Sequence, residues 1–275
     1  MTAPPPVPDR WFPGTPAIAG VLVAFCGSAL LLFLFGPIAE LIGGSGVTGV
    51  RRLFADAEVR NAIYLTVVTA TIATALGVVG GTPIAYLLAR FPFRGRAILA
   101  ALLDLPLLIP HPVAGIALLL VLGRESLAGH ALLALGIQVV GSPVGVVCAM
   151  LFVSAPLYVS AAREAFARVD RRYEAVARTL GDTFPRTLRR ITLPLAGRGL
   201  LAAAVVMWAR AVSEFGAIVI LTYNPKVASV LSYDRFTSYG LPEALPVAAI
   251  LALLALIPLT FLRALKYERS GEVDG

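Results

Sequence analysis

Residues 174–181 of this chain read Glu-Ala-Val-Ala-Arg-Thr-Leu-Gly, and after nine further residues comes Ile-Thr-Leu-Pro at 191–194. Both segments lie within residues 163–198, where nine arginines stand against four acidic residues between two long apolar segments. The pattern predicts short amphipathic helices at one face of a membrane, where a soluble partner can bind. The prediction rests on apolar side chains that recur at helical spacing, namely Tyr173, Val176, Ala177, Leu180 and Phe184.

Signals for helix ends divide this stretch into two helices. Asp170 is a suitable N-cap, and Gly181 can adopt the left-handed backbone conformation that ends a helix. Glu174 precedes Arg178 by four residues, a spacing that allows an ion pair on one helix face. We therefore expect two helices joined by a tight turn at Gly181. The residues expected to begin the second helix are Asp182 or Thr183 as its cap and Pro185 in its first turn.

The composition of the whole chain is that of an integral membrane protein. Of its 275 residues, 58% are hydrophobic and 14% are charged, and the mean hydropathy is +0.85. At about 20 residues per helix plus loops, roughly six membrane-spanning helices fit. No polar stretch is long enough to form a soluble domain. Both cysteines lie in apolar segments, where neither a disulfide nor a metal site is expected.

Six apolar segments of the sequence are long enough to span a membrane. They are approximately residues 16–42, 59–89, 97–122, 142–162, 195–222 and 245–265. Residues 130–140 are also apolar, but this segment is short and glycines interrupt it. An interfacial or re-entrant piece is favoured there, and a seventh span is the alternative topology.

The charges of the loops favour six spans over seven. With six spans, the basic clusters that follow spans two, four and six all fall on one side, as is typical of cytoplasmic loops. Both chain termini are then cytoplasmic. The net charge of +7 follows from this topology, so no nucleic-acid partner is expected. The three basic clusters are Arg90, Arg94 and Arg96, then the arginines of 163–198, then Arg263, Lys266 and Arg269.

An arginine-rich loop lying on anionic lipid would explain the composition of residues 163–198 but not the order of its residues. That order resembles the cytoplasmic signature loop of permease subunits in binding-protein-dependent ABC importers: Glu-Ala-Ala, three residues, Gly, nine residues, then Ile-x-Leu-Pro. Counted back from Gly181, Ala175 holds the family's glutamate position and Glu174 lies one residue earlier, a variant common in oxyanion importers. In this family the loop inserts into a cleft of a separate ATPase subunit. The resemblance implies that role for Glu174, Ala175, Ala177, Arg178, Thr179, Leu180, Gly181, Ile191, Leu193 and Pro194.

Two charged residues, Arg210 and Glu214, lie one helical turn apart within the fifth apolar segment. Charges at membrane depth often mark functional sites, although a purely structural ion pair explains this spacing equally well. The sequence Ser-Glu-Phe-Gly-Ala at 213–217 resembles molybdate, tungstate and sulfate permeases, and residues 223–226 and 230–241 resemble the tungstate/molybdate branch. The resemblance implies that this outer segment meets a substrate-binding protein. An ordered loop with aromatic side chains at the membrane interface is the alternative.

The third apolar segment contains a sequence that cannot form an unbroken helix. Residues 104–115 read Asp-Leu-Pro-Leu-Leu-Ile-Pro-His-Pro-Val-Ala-Gly, with three prolines and a glycine. A kinked packing helix and a helix break that lines a transport path both fit this spacing. Its second half resembles the gate region of the same permease branch. The resemblance therefore implies pathway or gate roles for Pro110, His111, Pro112, Gly115, Arg210, Ser213, Glu214 and Gly216.

The sequence lacks a phosphate-binding Gly-x-x-x-x-Gly-Lys-Ser/Thr loop and a zinc-binding His-Glu-x-x-His motif. These absences argue against ATP hydrolysis by this chain and against an intramembrane enzyme. A scaffold subunit of a membrane complex is the remaining alternative class. The resemblance implies an all-α, MetI-like type I ABC importer permease with six spans in the cell membrane. It further implies a homodimer surrounded by lipid, two cytoplasmic ABC ATPase subunits and an external substrate-binding protein. ATP and Mg are then used by the ATPase subunit, and this chain is expected to hold no cofactor or metal.

The expected cargo is molybdate or tungstate, with sulfate or thiosulfate as the alternative. Residues 1–15 are expected to form a disordered cytoplasmic tail, and residues 16–57 the first span and an outer loop. Residues 58–268 are expected to form the permease core that the resemblance implies, with five spans and the coupling loop 163–198, and residues 269–275 are expected to form a C-terminal tail. ATP-driven closure is expected to pass from the loop into spans three to five.

Overall fold

The computed structural model describes residues 17–44 and 55–271, and this part of the chain is helical apart from short connections. The tail predicted at 1–15, most of the first outer loop and residues 272–275 lie outside the described residues. The helices are α1 Ala17–Gly44, α2 Ala57–Arg90, α3 Arg96–Leu108, α4 His111–Leu122, α5 Leu127–Ala134, α6 Pro143–Ala167, α7 Arg171–Thr179, α8 Phe184–Thr187, a π-helical turn at Leu188–Thr192, α9 Leu193–Val212, α10 Gly216–Leu221, α11 Ala228–Tyr239 and α12 Leu241–Gly271.

Five helical segments of the described residues are long and apolar enough to cross a membrane: α1, α2, α6, the continuous segment Phe184–Val212, and α12. Helices α3 and α4 are each too short, because 13 and 12 residues rise only about 20 Å and 18 Å against roughly 30 Å of hydrocarbon. These two helices meet at a bend of 113°, and taken together as one broken span they bring the number of apolar spans in the described residues to six. The all-α architecture is thus confirmed, with five continuous spans and a sixth that consists of the bent pair.

The apolar segment 130–140 is not a seventh span. It falls in α5, a helix of eight residues, and in the irregular chain that follows. Eight residues rise only about 12 Å, less than half the hydrocarbon thickness. The side chain of Ser126 caps this short helix by accepting a hydrogen bond from the amide of Gly129 at 2.9 Å. The alternative topology with seven spans is therefore wrong for the described residues.

Helices α2, α6 and α9 form the centre of the bundle. Tyr158, Phe166 and Met207 are fully buried among them. Where α2 crosses α6, a Cβ atom at Gly81 would lie only 2.8 Å from Cδ1 of the Tyr158 ring. The hydroxyls of Thr82 and Tyr158 are 2.7 Å apart at the same crossing. Small residues of α2 therefore allow the two backbones to approach closely, as is usual between membrane helices.

At the opposite end from the arginine-rich stretch, an ion-pair cluster ties α11 to the start of α2. Arg235 Nη2 lies 2.5 Å from Asp56 Oδ2 and 3.2 Å from Glu58 Oε2. Lys226 Nζ lies 2.6 Å from Asp234 Oδ2 and 3.8 Å from Glu58 Oε1. The cluster holds the segment between spans five and six against the second span.

This cluster makes the stability of the outer end dependent on pH. The hydrogen bond from Arg235 is the main cause that lowers the pKa of Asp56, and the hydrogen bond from Lys226 is the main cause that lowers the pKa of Asp234. Because both pKa values fall below the ordinary 3.8, the carboxylates stabilise the fold above that pH. Their contribution is lost as the pH falls through the lowered values.

We expect the thermal midpoint of the purified chain in detergent to fall more steeply for the wild type than for an Asp56→Asn, Asp234→Asn double variant between about pH 6 and pH 3. Asparagine cannot titrate, yet it caps a helix as well as aspartate, so the α2 N-terminus stays capped. The variant should be less stable at the upper pH and should approach the wild type at the lower one. Parallel curves would contradict the prediction.

Candidate coupling element and candidate pathway site

The arginine-rich stretch folds into two short helices joined at Gly181, as predicted. The Asp170 side chain caps α7 by accepting from the amide of Arg172 at 2.9 Å. Gly181 has φ +94°, and the amide of Asp182 donates to the carbonyl of Ala177 at 3.0 Å, which closes the helix end. Helix α8 follows, with Thr183 at its cap position and a proline in its first turn.

The ends of this stretch belong to the neighbouring spans. Helix α6 continues to Ala167, and α9 begins at Leu193 with Pro194 in its first turn. Residues 168–192 therefore lie between α6 and α9, a shorter stretch than the predicted 163–198, and the last nine of them continue directly into α9 as one helical segment. Arginines at the ends of a span extend toward the membrane surface without ending the helix, which explains the difference. We call residues 168–192 the coupling element.

One face of the coupling element is apolar and open. Tyr173, Val176 and Leu180 project from α7 with exposed fractions of 59%, 57% and 83%. Together with Ile191 and Pro194 they line a groove of about 800 Å³ whose charged lining residues are two arginines and one aspartate. Apolar side chains at positions i, i+3 and i+7 form one stripe along a helix. Such a stripe within a basic surface has the form of a protein-binding face.

The carboxylate of Glu174 lies on the opposite side of α7 and points into the protein. Its Oε1 lies 2.9 Å from Arg90 Nη2 and accepts a hydrogen bond from Thr192 Oγ1 at 2.8 Å. The ion pair predicted between Glu174 and Arg178 is therefore wrong. The buried guanidinium of Arg90, at the end of α2, takes the carboxylate because a buried charge requires a counter-ion.

A second group of predicted residues meets where two spans are broken. The fifth apolar segment, predicted as one span, is interrupted, since α9 ends at Val212 and α10 begins at Gly216. At this break Glu214 Oε1 accepts from the amide of Ala217 at 2.8 Å, and the hydrogen bond caps the first turn of α10 from the residue before Phe215. The other break separates α3 from α4 at Ile109 and Pro110.

Arg210 connects the two breaks. Its Nη2 lies 2.9 Å from Glu214 Oε2 and 2.5 Å from His111 Nε2. Since a guanidinium can only donate, Nε2 of His111 is the acceptor in this contact. The Glu214 side chain is 1% exposed and that of Arg210 21% exposed. The cation lies at the C-terminal end of α9 and the anion at the N-terminal end of α10, where the helix dipoles stabilise both charges.

The two broken spans touch at backbone distance. A Cβ atom at Gly216 would lie 2.7 Å from His111 Cβ and 3.1 Å from Pro112 Cδ. A Cβ atom at Gly115 would lie 2.8 Å from the carbonyl oxygen of Ala217. No larger residue fits at either glycine without moving one span. The predicted pathway residues are thus brought together as one cluster, with Ser213 exposed beside it.

Three contributors to these sites are not evident from the sequence. In the sequence Arg90 indicates only the cytoplasmic side of a span, whereas in the structure its charge pairs with Glu174. Arg171 donates from Nη2 to the last carbonyls of α2. Ser229 donates to the carbonyl of Glu214 at 2.7 Å and so supports the break from α11. The burial of an arginine at a span end would have indicated the first of these, and sequence alone does not reveal burial.

Residues 81–268 match the family described as binding-protein-dependent transport system inner membrane component. The chain belongs to this family. It is therefore a multi-pass membrane protein and the translocation component of a transport system, and the expectation that it is not an enzyme is confirmed. We refer to this chain as the permease.

Two relatives are similar to the permease over most of their length. The molybdate/tungstate transport system permease protein WtpB of Pyrococcus furiosus is 39% identical over 250 residues, which cover 90% of the chain and 93% of the relative. The sulfate transport system permease protein CysT of Synechocystis is 32% identical over 244 residues, covering 86% and 85%. A bacterial ABC transporter that imports alginate has a chain of the same fold, with TM-score 0.71, 17% identity and coverage of 91% and 95%.

Proposed function

We propose that the permease moves molybdate or tungstate across the cell membrane by alternating access, driven by ATP hydrolysis on a separate subunit. The likeness to a permease named for molybdate and tungstate, at 39% identity over nearly the whole length of both chains, carries the choice of cargo. Sulfate or thiosulfate is the second candidate, because the related sulfate permease covers almost as much of the chain at 32% identity.

The proposed assembly contains two copies of the permease around one pathway, two cytoplasmic ABC ATPase subunits and one external substrate-binding protein. The family description, a component of a binding-protein-dependent transport system, supports partners of this kind. The ATPase subunit binds Mg and hydrolyses ATP, and the permease itself holds no cofactor. Both termini of the permease and the coupling element face the cytoplasm, and membrane lipid surrounds the spans. The distribution of arginine and lysine among the loops supports this orientation.

The apolar stripe of α7 is the observation that supports docking to the ATPase. Tyr173, Val176 and Leu180 are exposed on a helix that has its inner face fixed to the bundle. Burying one such side chain contributes about 1.5–3 kcal/mol. In the proposed complex the stripe fills an apolar cleft on the ATPase, and the nearby arginines fix its orientation.

The cluster of Arg210, His111 and Glu214 is the proposed pathway site. Two half-helices meet there at membrane depth, an arrangement typical of transporter substrate paths. Arg210 is the group with the charge that attracts an oxyanion, and its partial exposure leaves a donor available. Movement of α10 against α4 changes the packing at Gly216 and so opens or closes the path.

Replacing Leu180 by aspartate is expected to weaken ATPase binding about 10-fold or more, because a charge replaces the most exposed apolar contact of the stripe. The dissociation constant is measured with the permease in nanodiscs and the purified ATPase subunit. Leu127, which is 93% exposed on α5, provides the matched control. Leu127→Asp should bind the ATPase as the wild type does. Equal binding by wild type and Leu180→Asp would contradict the docking role.

A further inference from the structure

The cytoplasmic end of α2 carries a buried arginine that the proposed docking face does not use. Arg90 is 7% exposed, and its Nη2 lies 2.9 Å from Glu174 Oε1 and donates to the carbonyl oxygen of Val169 at 2.9 Å. Both contacts are with the coupling element, one on α7 and one just before it. Because Glu174 is the only acidic side chain paired with Arg90 among the described residues, the two form one neutral unit.

The coupling element also supplies an arginine, which binds the end of α2. Arg171, in the first turn of α7, donates from Nη2 to the carbonyl oxygens of Ala89 and Arg90, each at 3.2 Å. These are the final carbonyls of α2, which lack partners within their own helix. A cation at the C-terminal end of a helix also favours its dipole. The guanidinium of α2 therefore pairs with a carboxylate of α7, and a guanidinium of α7 donates to carbonyl oxygens of α2. The two helices are bound to each other in both directions.

An aromatic contact extends this junction to the second helix of the coupling element. The ring of Tyr86, one turn before the end of α2, lies 5.9 Å from the ring of Phe184 and 5.3 Å from that of Phe166. Phe184 begins α8, whereas Phe166 is at the end of α6. The end of α2 thus contacts both a span and the helix that follows the Gly181 turn.

We propose that Arg90 is a positioning residue that clasps the coupling element to α2, so that movement of the element is delivered first to the second span. We call the contacts among Arg90, Glu174 and Arg171 the clasp. The inference rests on the proposed docking function. It differs from the expected route, in which closure passes into spans three to five. It also gives Glu174 a role inside the permease rather than at the ATPase surface.

The packing of α2 explains how the movement would continue to the pathway site. Helix α2 runs against α6 and α9, and Met207 of α9 lies against Gly77 of α2. Arg210 is one turn farther along α9 and holds the break at Glu214. A displacement of α2 by the clasp therefore reaches the cluster of broken spans through side chains in contact. Packed interiors transmit such displacements because they compress little.

The test uses Glu174→Gln and Arg90→Gln, singly and together, in the full permease assembled with its ATPase and substrate-binding protein in liposomes. We expect each single variant to lower the oxyanion imported per ATP hydrolysed by about 5-fold to 10-fold, and the double variant to be no worse than the worse single one. ATPase binding should stay within about 2-fold of the wild type in all three. Glu164→Gln, which breaks the exposed pair with Arg168, is the matched control and should change nothing.

Three results with the glutamine variants would overturn the clasp. One is weaker ATPase binding by Glu174→Gln but not by Arg90→Gln, which would place the carboxylate at the ATPase. Another is multiplication of the two single effects, and the third is unchanged import per ATP in both. If Arg90→Gln does not assemble, Arg90→Lys is the alternative, because it keeps the charge beside Glu174 but loses the hydrogen bond to Val169. This variant should import about 3-fold less oxyanion per ATP hydrolysed than the wild type. Coupling equal to wild type in that variant would also overturn the clasp, whereas failure of wild-type ATPase binding would refute the proposed function itself.

Discussion

Replacing Glu214 by alanine is expected to destabilise the permease by about 3–5 kcal/mol and to abolish transport, because it leaves a cation without its partner in the centre of the bundle. Of its side-chain hydrogen bonds to described residues, Arg210 would keep the one to His111, and the amide of Ala217 would lose the carboxylate that caps α10. Thermal unfolding in detergent measures the first effect, and ATP-driven uptake in liposomes measures the second.

Two further variants separate the roles of Glu214. Glu214→Gln keeps an oxygen for the amide of Ala217 but removes the charge, so it should lose less stability than alanine. The double variant Arg210→Met, Glu214→Leu removes both charges, and apolar replacement of a buried pair commonly restores stability. We expect it to regain stability without regaining transport. Transport at the wild-type rate in the double variant would mean that the pair is only structural.

Replacing Gly181 by valine is expected to lower transport at least about 10-fold while the spans remain folded. Its φ of +94° lies in the left-handed region, where a β-branched residue costs about 1–3 kcal/mol. A Cβ atom at this position would meet no other atom within 4 Å, so the effect comes from the backbone and not from a clash. The turn must open, and α8 then loses its orientation relative to α7.

ATP hydrolysis and oxyanion uptake by the assembled complex measure this effect. Gly181→Asn is one control, because asparagine tolerates the left-handed region, and it should retain most of the coupling. Gly197→Ala is the other, since Gly197 has an ordinary helical φ and open space around it. Undiminished coupling in Gly181→Val would show that the turn does not determine the geometry of the docking face.

The features that the sequence predicts correctly depend on residues close together in the chain. Asp170 caps α7 and Gly181 ends it because capping requires only the residue type and a distance of a few positions. The break between α3 and α4 follows likewise from the prolines near His111. Hydropathy locates the spans because each must contain about 20 apolar residues.

The features that escape prediction depend on contacts between distant segments. Glu174 has Arg178 one turn away on its own helix, yet it pairs with Arg90. The reason is that Arg90 is buried, and a buried guanidinium is more costly to leave without a counter-ion than an exposed one. The break in the fifth span is not predicted because a glutamate four residues after an arginine also suits an unbroken helix. Only the positions of His111 and Ala217 show that Glu214 caps a second half-helix instead.

Uptake of radiolabelled molybdate and tungstate by liposomes that contain the permease and its ATPase is the decisive measurement for ATP-driven oxyanion import. The substrate-binding protein is supplied outside and ATP inside, and unlabelled sulfate serves as the competitor. We expect uptake that requires both ATP and the binding protein, that excess sulfate does not abolish, and that Leu180→Asp reduces with the loss of ATPase binding. Absence of ATP-dependent uptake of either oxyanion by a correctly assembled complex would refute the proposed function.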